Sequence, residues 1–250
     1  MALPAELLEK LPRGVALPQA VGRGEVLATG LGQLDAALPG GGLLRGAVVE
    51  LAISGGAGLG TQLGLAACRE VQREALRHGG ELPWCAFVDP SATLHAPGVR
   101  EAGVELERLL VVRPNPEAVT RVAVRLAESR AFAVLIVDTL GVPGIALKFH
   151  AAAWARSVRR MALAIEGSAI VTLLLTEHRP VGATPLPVAQ RIVLSRPTVD
   201  TVKLVVVKDR HGRIAAPRTV AWREPFEGKA LHAARERSTV EAPQLERLVR

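Results

Sequence analysis

Ala47-Val48-Val49-Glu50-Leu51-Ala52-Ile53 runs directly into Ser54-Gly55-Gly56-Ala57-Gly58-Leu59-Gly60-Thr61, and a helical stretch follows to about His78. The first segment reads as a buried strand and the second as a glycine-rich turn into a helix. Gly79-Gly80 closes that helix. A strand, a glycine-rich turn and a helix aim backbone N–H groups and a helix N-terminus at one point, where an anion can sit. This junction therefore bears on both fold class and chemistry.

Outward from the junction, strands and helices alternate. Trp84–Val88, Leu109–Val112, Phe132–Asp138 and Ala169–Leu175 read as further strands. Asn115-Pro116-Glu117 predicts a helix start with Asn115 as N-cap, running to about Arg130. A second helix is predicted over Lys148–Glu166, closed by Gly167. Strands apolar on both faces and flanked by helices imply an α/β fold with a mostly parallel sheet covered on two sides. After Pro187 the pattern shifts to Arg191–Ser195, Thr201–Lys208 and Arg218–Trp222, with Asp209-Arg210-His211-Gly212 as a hairpin tip. That is an antiparallel C-terminal extension. The chain divides into an N-terminal segment (1–27), a core domain (28–222) and a charged tail (223–250). The pattern predicts a short amphipathic stretch over Glu6 to Leu11 in the first and a short helix near Glu227–Arg237 in the last.

Composition narrows the function classes. No apolar run reaches the roughly 20 residues that cross a bilayer, and the first residues lack a signal-peptide plan. Cys68 and Cys85 give neither a disulfide framework nor metal spacing, and the histidines are scattered. A cytoplasmic protein without a metal site is expected. Net charge is +7, unevenly spread: residues 1–150 carry 14 Lys/Arg and 15 Asp/Glu, residues 151–250 carry 17 and 9. The second part thus suits a polyanion or an acidic partner, or is an arginine-rich solvated surface.

A phosphate-binding loop of the Walker type needs a lysine to neutralise the β/γ charge and a Ser/Thr hydroxyl to hold Mg²⁺. With Gly58 as its second glycine, Ile53 stands where the first belongs, Leu59 replaces the lysine, and Gly60 replaces the hydroxyl residue. Thr61 follows one place late. On these residues alone the segment is more simply a flexible strand-to-helix turn. The stretch Ala52-Ile53-Ser54-Gly55-Gly56 is near a nucleophile elbow, but the helix does not start at once and no triad partners follow.

The surrounding sequence resembles RecA recombinases. Ala28-Thr29-Gly30 followed by LGQLDAALPGGGLLRGAVVEL, then CAFVD (Cys85–Asp89), AGVELERLLVVRP (Ala102–Pro114), AFAVLIVDTL with Asp138, and VKLVVVKDRHGRIAAP (Val202–Pro217) follow RecA landmarks in order. They span about Thr29 to Trp222. The resemblance implies a RecA-like core with Asp138 as the Walker B acid. It also exposes departures: Ser91 stands at the catalytic glutamate and Glu177 at the γ-phosphate-sensing glutamine. The region of the first DNA loop after Asp138 is short, and the second, His178–Gln190, is proline-rich. Losing lysine, hydroxyl and base together implies no ATPase activity and no ATP or Mg²⁺ cofactor.

RecA relatives worn in this way include ImuA-type proteins, which accompany a Y-family polymerase relative (ImuB) in damage-induced mutagenesis. The shorter SulA-type cell-division inhibitors are another group. Length, intact landmarks and charged tail resemble the ImuA type. That resemblance implies an adaptor in the SOS response and translesion synthesis, binding an ImuB-type protein and also RecA. Two alternatives stay open, a DNA-stimulated ATPase with a degenerate loop and a SulA-like inhibitor. The residues singled out are Gly55, Gly56, Gly58, Gly60, Thr61 and Asp138 for the degenerate nucleotide loop. Arg179, Arg191, Lys203, Lys208, Arg210 and Arg213 are candidates for weak DNA binding, without aromatic stacking platforms. Leu231, Leu245, Leu248 and Val249 are candidates for a partner-binding tail.

Overall fold

The computed structural model describes residues 25–55, 58–140, 151–178 and 185–222. In chain order the elements are β1 (Val26–Leu27), α1 (Gly32–Ala37), β2 (Leu43–Leu44), β3 (Ala47–Ser54), α2 (Leu59–Arg77), β4 (Cys85–Val88) and α3 (Ala96–Glu101). There follow β5 (Leu109–Val112), α4 (Val119–Ser129), β6 (Val134–Asp138), α5 (Ala151–Ile165), β7 (Val171–Glu177), β8 (Gln190–Thr198), β9 (Thr201–Asp209) and β10 (Arg218–Ala221).

One sheet of eight strands runs β10-β9-β8-β3-β7-β6-β4-β5, beside a two-stranded ribbon of β1 and β2. From β8 to β5 every pairing is parallel. The last two, β8 with β9 and β9 with β10, are antiparallel. The expected α/β class and its antiparallel extension are both present. Apolar side chains cover both faces because strand residues alternate across a sheet. Val49, Leu51 and Ile53 of β3 join α2 in one core, whose members include Leu63, Ala67, Phe87 and Leu173. Val48 of the same strand joins α4 and α5 in the other, with Val124, Val158 and Met161. Burying each large side chain of this kind contributes about 1.5–3 kcal/mol. Cys68 and Cys85 are neighbours in the first core, and burial raises the Cys68 thiol well above its ordinary range.

Several sequence landmarks prove to be backbone devices. Thr29 donates to Asp35 Oδ1 through its N–H (2.8 Å) and its hydroxyl (2.7 Å), while Gly30 N–H reaches Oδ2 at 3.0 Å. At Gly42 a Cβ would collide with the Leu27 carbonyl, so only glycine lets the chain pass under β1. Glu50, buried in β3, accepts from the Thr176 hydroxyl at 2.9 Å and faces Arg191 at 3.4 Å.

Some expectations shift. Asn115 makes no side-chain cap; a 3-10 turn at Pro116–Ala118 leads into α4, whose first residue is Val119. Helix α2 starts two residues ahead of the expected Thr61, and Gly80 N–H bonds to Ala75 O at 2.9 Å as it closes. The ribbon, α1 and α3 were not expected: elements of two to six residues are too short to show a period. The amphipathic stretch expected over 6–11 and the short helix expected over 227–237 lie outside the described residues.

Candidate functional site

Strands β3, β7, β6 and β4 end on one edge of the sheet, the edge where parallel α/β sheets receive ligands. The glycine turn leaves β3 here. Gly55 and Gly58 hold φ of +69° and +102°, conformations that suit glycine, and a Cβ on either would meet open space. Gly58 precedes α2 and supplies no side chain to cap it, so the first N–H groups of the helix keep their anion-binding potential. Gly56 lies outside the described residues.

What surrounds that potential is apolar. Leu59, at the lysine position, is 2% exposed and belongs to the core under α2. Gly60, at the hydroxyl position, faces the sheet; a Cβ there would lie 3.3 Å from both Ile53 Cγ1 and Leu175 Cδ2. A serine or threonine at that place would press its Cβ against Ile53 and Leu175, which must give by a few tenths of an ångström. Thr61 is half-buried one residue further on. Backbone donors remain, but the described loop residues bring no cation to a phosphate.

Asp138 ends β6 on the face shared by Val134 and Ile136, which is the α2 face. Burial pushes its carboxyl up to about 6; the Leu140 N–H bond at 2.9 Å opposes this, and the charge of Asp89 reinforces it. Asp89, fully buried after β4, organises a turn by accepting from Thr93 N–H, the Thr93 hydroxyl and Leu94 N–H at 3.0–3.2 Å. Arg113 approaches it at 3.4 Å. Ser91, at the position of a catalytic base, is half-buried inside that turn. Glu177 is exposed at the end of β7, in register with Ile53. Asp138 and the glycine turn therefore share one rim. Among the described residues no three His, Cys, Asp or Glu side chains form a metal-binding group.

The basic set drawn from the sequence does not converge on one surface. Arg191 is mostly buried against Glu50 in the sheet. Arg210 donates to the Arg45 carbonyl at 3.3 Å, and Arg213 pairs with Asp209 at 3.2 Å and Glu25 at 3.4 Å. These contacts hold the β9–β10 connection against the amino-end edge, away from the glycine turn. Burial pushes the Asp209 carboxyl upward, but bonds from His211 N–H and Arg213 outweigh it and leave the group below its ordinary value. Lys203 and Lys208 are exposed on β9, opposite Ser195 and Arg191 respectively. Arg179 and the tail residues Leu231, Leu245, Leu248 and Val249 lie outside the described residues.

Sequence reasoning missed a second cluster. Arg121 and Arg125 of α4 face Arg156 and Arg160 of α5 across a groove of about 440 Å³. A signal was present, because both pairs are spaced i,i+4 and α5 contains no acidic residue. None of the described helices is long and apolar enough to cross a membrane.

The RecA N-terminal domain family matches residues 17–168, which take in the glycine turn and Asp138 and end between α5 and β7. RecA of Acidiphilium cryptum (strain JF-5) is 32% identical over 167 residues, covering 62% of this chain and 46% of that protein. RecA of Rhodospirillum centenum (strain ATCC 51521 / SW) is 31% identical over 173 residues, covering 64% and 46%. RecA of Bartonella bacilliformis is 37% identical over 117 residues, covering 46% and 31%. The chain thus spans under half the length of the curated relatives it matches.

Proposed function

We propose that this chain, which belongs to the RecA family, has given up ATP hydrolysis and works in the cytoplasm as a binding adaptor in the response to DNA damage. One observation carries this reading: Leu59 is sunk in the core where a lysine would meet phosphate. Gly60 adds support, since it carries no hydroxyl to hold a metal and a side chain there would press on Ile53 and Leu175. Phosphoryl transfer is catalysed almost entirely by positioned charge, so a loop without cation or metal anchor keeps the fold and loses the chemistry. A RecA-family member without hydrolysis acts through surfaces. Its resemblance to ImuA-type proteins points to translesion synthesis, with a Y-family polymerase component and RecA as partners. Co-purification of the full chain with each candidate tests this, and a chain that retains neither would sink it.

Asp138 favours a second reading, a DNA-stimulated ATPase with substitute contacts. The residue is retained at the end of a central strand, with its carboxyl raised to about 6. Turnover abolished by Asp138→Asn would select that reading.

A further inference from the structure

We infer that the groove between α4 and α5 is a binding surface for the phosphate backbone of a nucleic acid. Four guanidinium groups line it, those of Arg121, Arg125, Arg156 and Arg160. Glu128 is the carboxylate that answers them, meeting Arg160 at 2.6 Å and Arg125 at 3.8 Å. Four positive charges against one negative leave the groove at +3. Among the described residues, Arg121 and Arg156 have no carboxylate partner, and both are exposed.

This arrangement is costly as mere surface. Like charges at i,i+4 destabilise a helix, and here both walls carry such a pair. Helix α2 also spaces Arg69, Arg73 and Arg77 four apart, but there Glu70 and Glu74 lie between them, Glu70 pairing with Arg77 and Glu74 with Arg45. Arginine presents a fork of donors that fits phosphate oxygens, and opposed rows of them suit an extended polyanion. The floor decides between a nucleic acid and an acidic peptide. Thr120 and Ser157 also line it, the Ser157 hydroxyl donating to the Ala153 carbonyl at 3.1 Å, whereas its apolar share is only Val124 and Ala153. A docked peptide helix needs large apolar anchors, which this floor cannot seat. The neighbouring aromatic, Trp154, is buried in the core and unavailable for base stacking. Recognition is therefore of the backbone, independent of sequence and sensitive to salt. None of this rests on the adaptor reading.

The test is fluorescence anisotropy of a labelled thymidine oligonucleotide titrated with the full chain across a range of salt. Arg121→Gln with Arg156→Gln is expected to weaken binding at least about tenfold and to flatten the salt dependence by about one to two counterions. Lys203→Gln with Lys208→Gln is expected to change affinity less than about threefold, a size set by phosphate contacts they do not make. Phenylglyoxal footprinting of the unmutated chain, read by mass spectrometry, should show Arg121 and Arg156 protected by the oligonucleotide, so the outcome does not hang on a variant's folding. Unchanged affinity in the arginine variant, absence of protection, or displacement of the oligonucleotide by polyglutamate at equal charge would each overturn the proposal. Loss of partner co-purification with groove binding intact would sink the adaptor alone.

Discussion

The glycine-turn rim and the α4–α5 groove are served by opposite faces of one sheet, and they have moved in opposite directions electrostatically. At the rim, the position that needs a cation holds a buried leucine, and the surviving acid sits beside another acid. In the groove, four arginines gather against the single carboxylate of Glu128, whereas Glu70 and Glu74 lie among the arginines of α2. The difference teaches where binding energy can still be found. A backbone shaped for phosphate is weak without neutralising charge, whereas a charged groove binds phosphate without a special backbone.

The largest effect is expected from putting a cation back at the rim. Leu59→Lys places an ammonium in the core under α2 and should cost about 4 kcal/mol, read by urea denaturation. A variant of parental stability that bound ATP would show that the loop had kept its old geometry. Arg191→Ala should cost about 3 kcal/mol by leaving the buried Glu50 carboxylate unpaired. Its affinity for an oligonucleotide should stay within about twofold of the parent, since this arginine has no phosphate to give up.

Asp138 offers a test of sign. Its carboxyl stands at about 6 in the folded chain against an ordinary 3.8, so the folded state holds the proton more tightly. Stability should therefore fall as pH rises from about 4 to about 6, by about 3 kcal/mol in all. Asp138→Asn should abolish this loss: about 3 kcal/mol more stable than the parent at pH 7 and no more stable near pH 3.5, by thermal melts across that range. A pH-independent difference would contradict the burial account. The smallest effect belongs to the groove's own acid. Glu128→Gln releases Arg160 and Arg125, should cost under about 1 kcal/mol of stability, and should tighten oligonucleotide binding about twofold to fivefold.

The fold was legible because its signals are long. Ala47–Ile53 and Phe132–Asp138 are apolar on both faces, and only a doubly covered parallel sheet accepts such strands. The change after Pro187 to alternating strands correctly marked the antiparallel edge. The ribbon and α1 escaped notice because their stability comes from the Thr29–Asp35 hydrogen bonds and the fit at Gly42, which carry no period. Site residues were legible only in type. Sequence located the glycine turn and Asp138, which share the rim. It could not tell that Arg191 answers a buried glutamate, or that Arg210 and Arg213 hold a loop in place, since those partners are distant along the chain. The groove needed two helices brought side by side before its four arginines became one feature.

Titration calorimetry of the full chain with ATP and Mg²⁺ at low salt is the most direct measurement of the proposed loss of nucleotide chemistry. No heat of binding is expected, with any dissociation constant weaker than about 1 mM. Saturable binding in the micromolar range would contradict it and move the ATPase reading ahead of the adaptor.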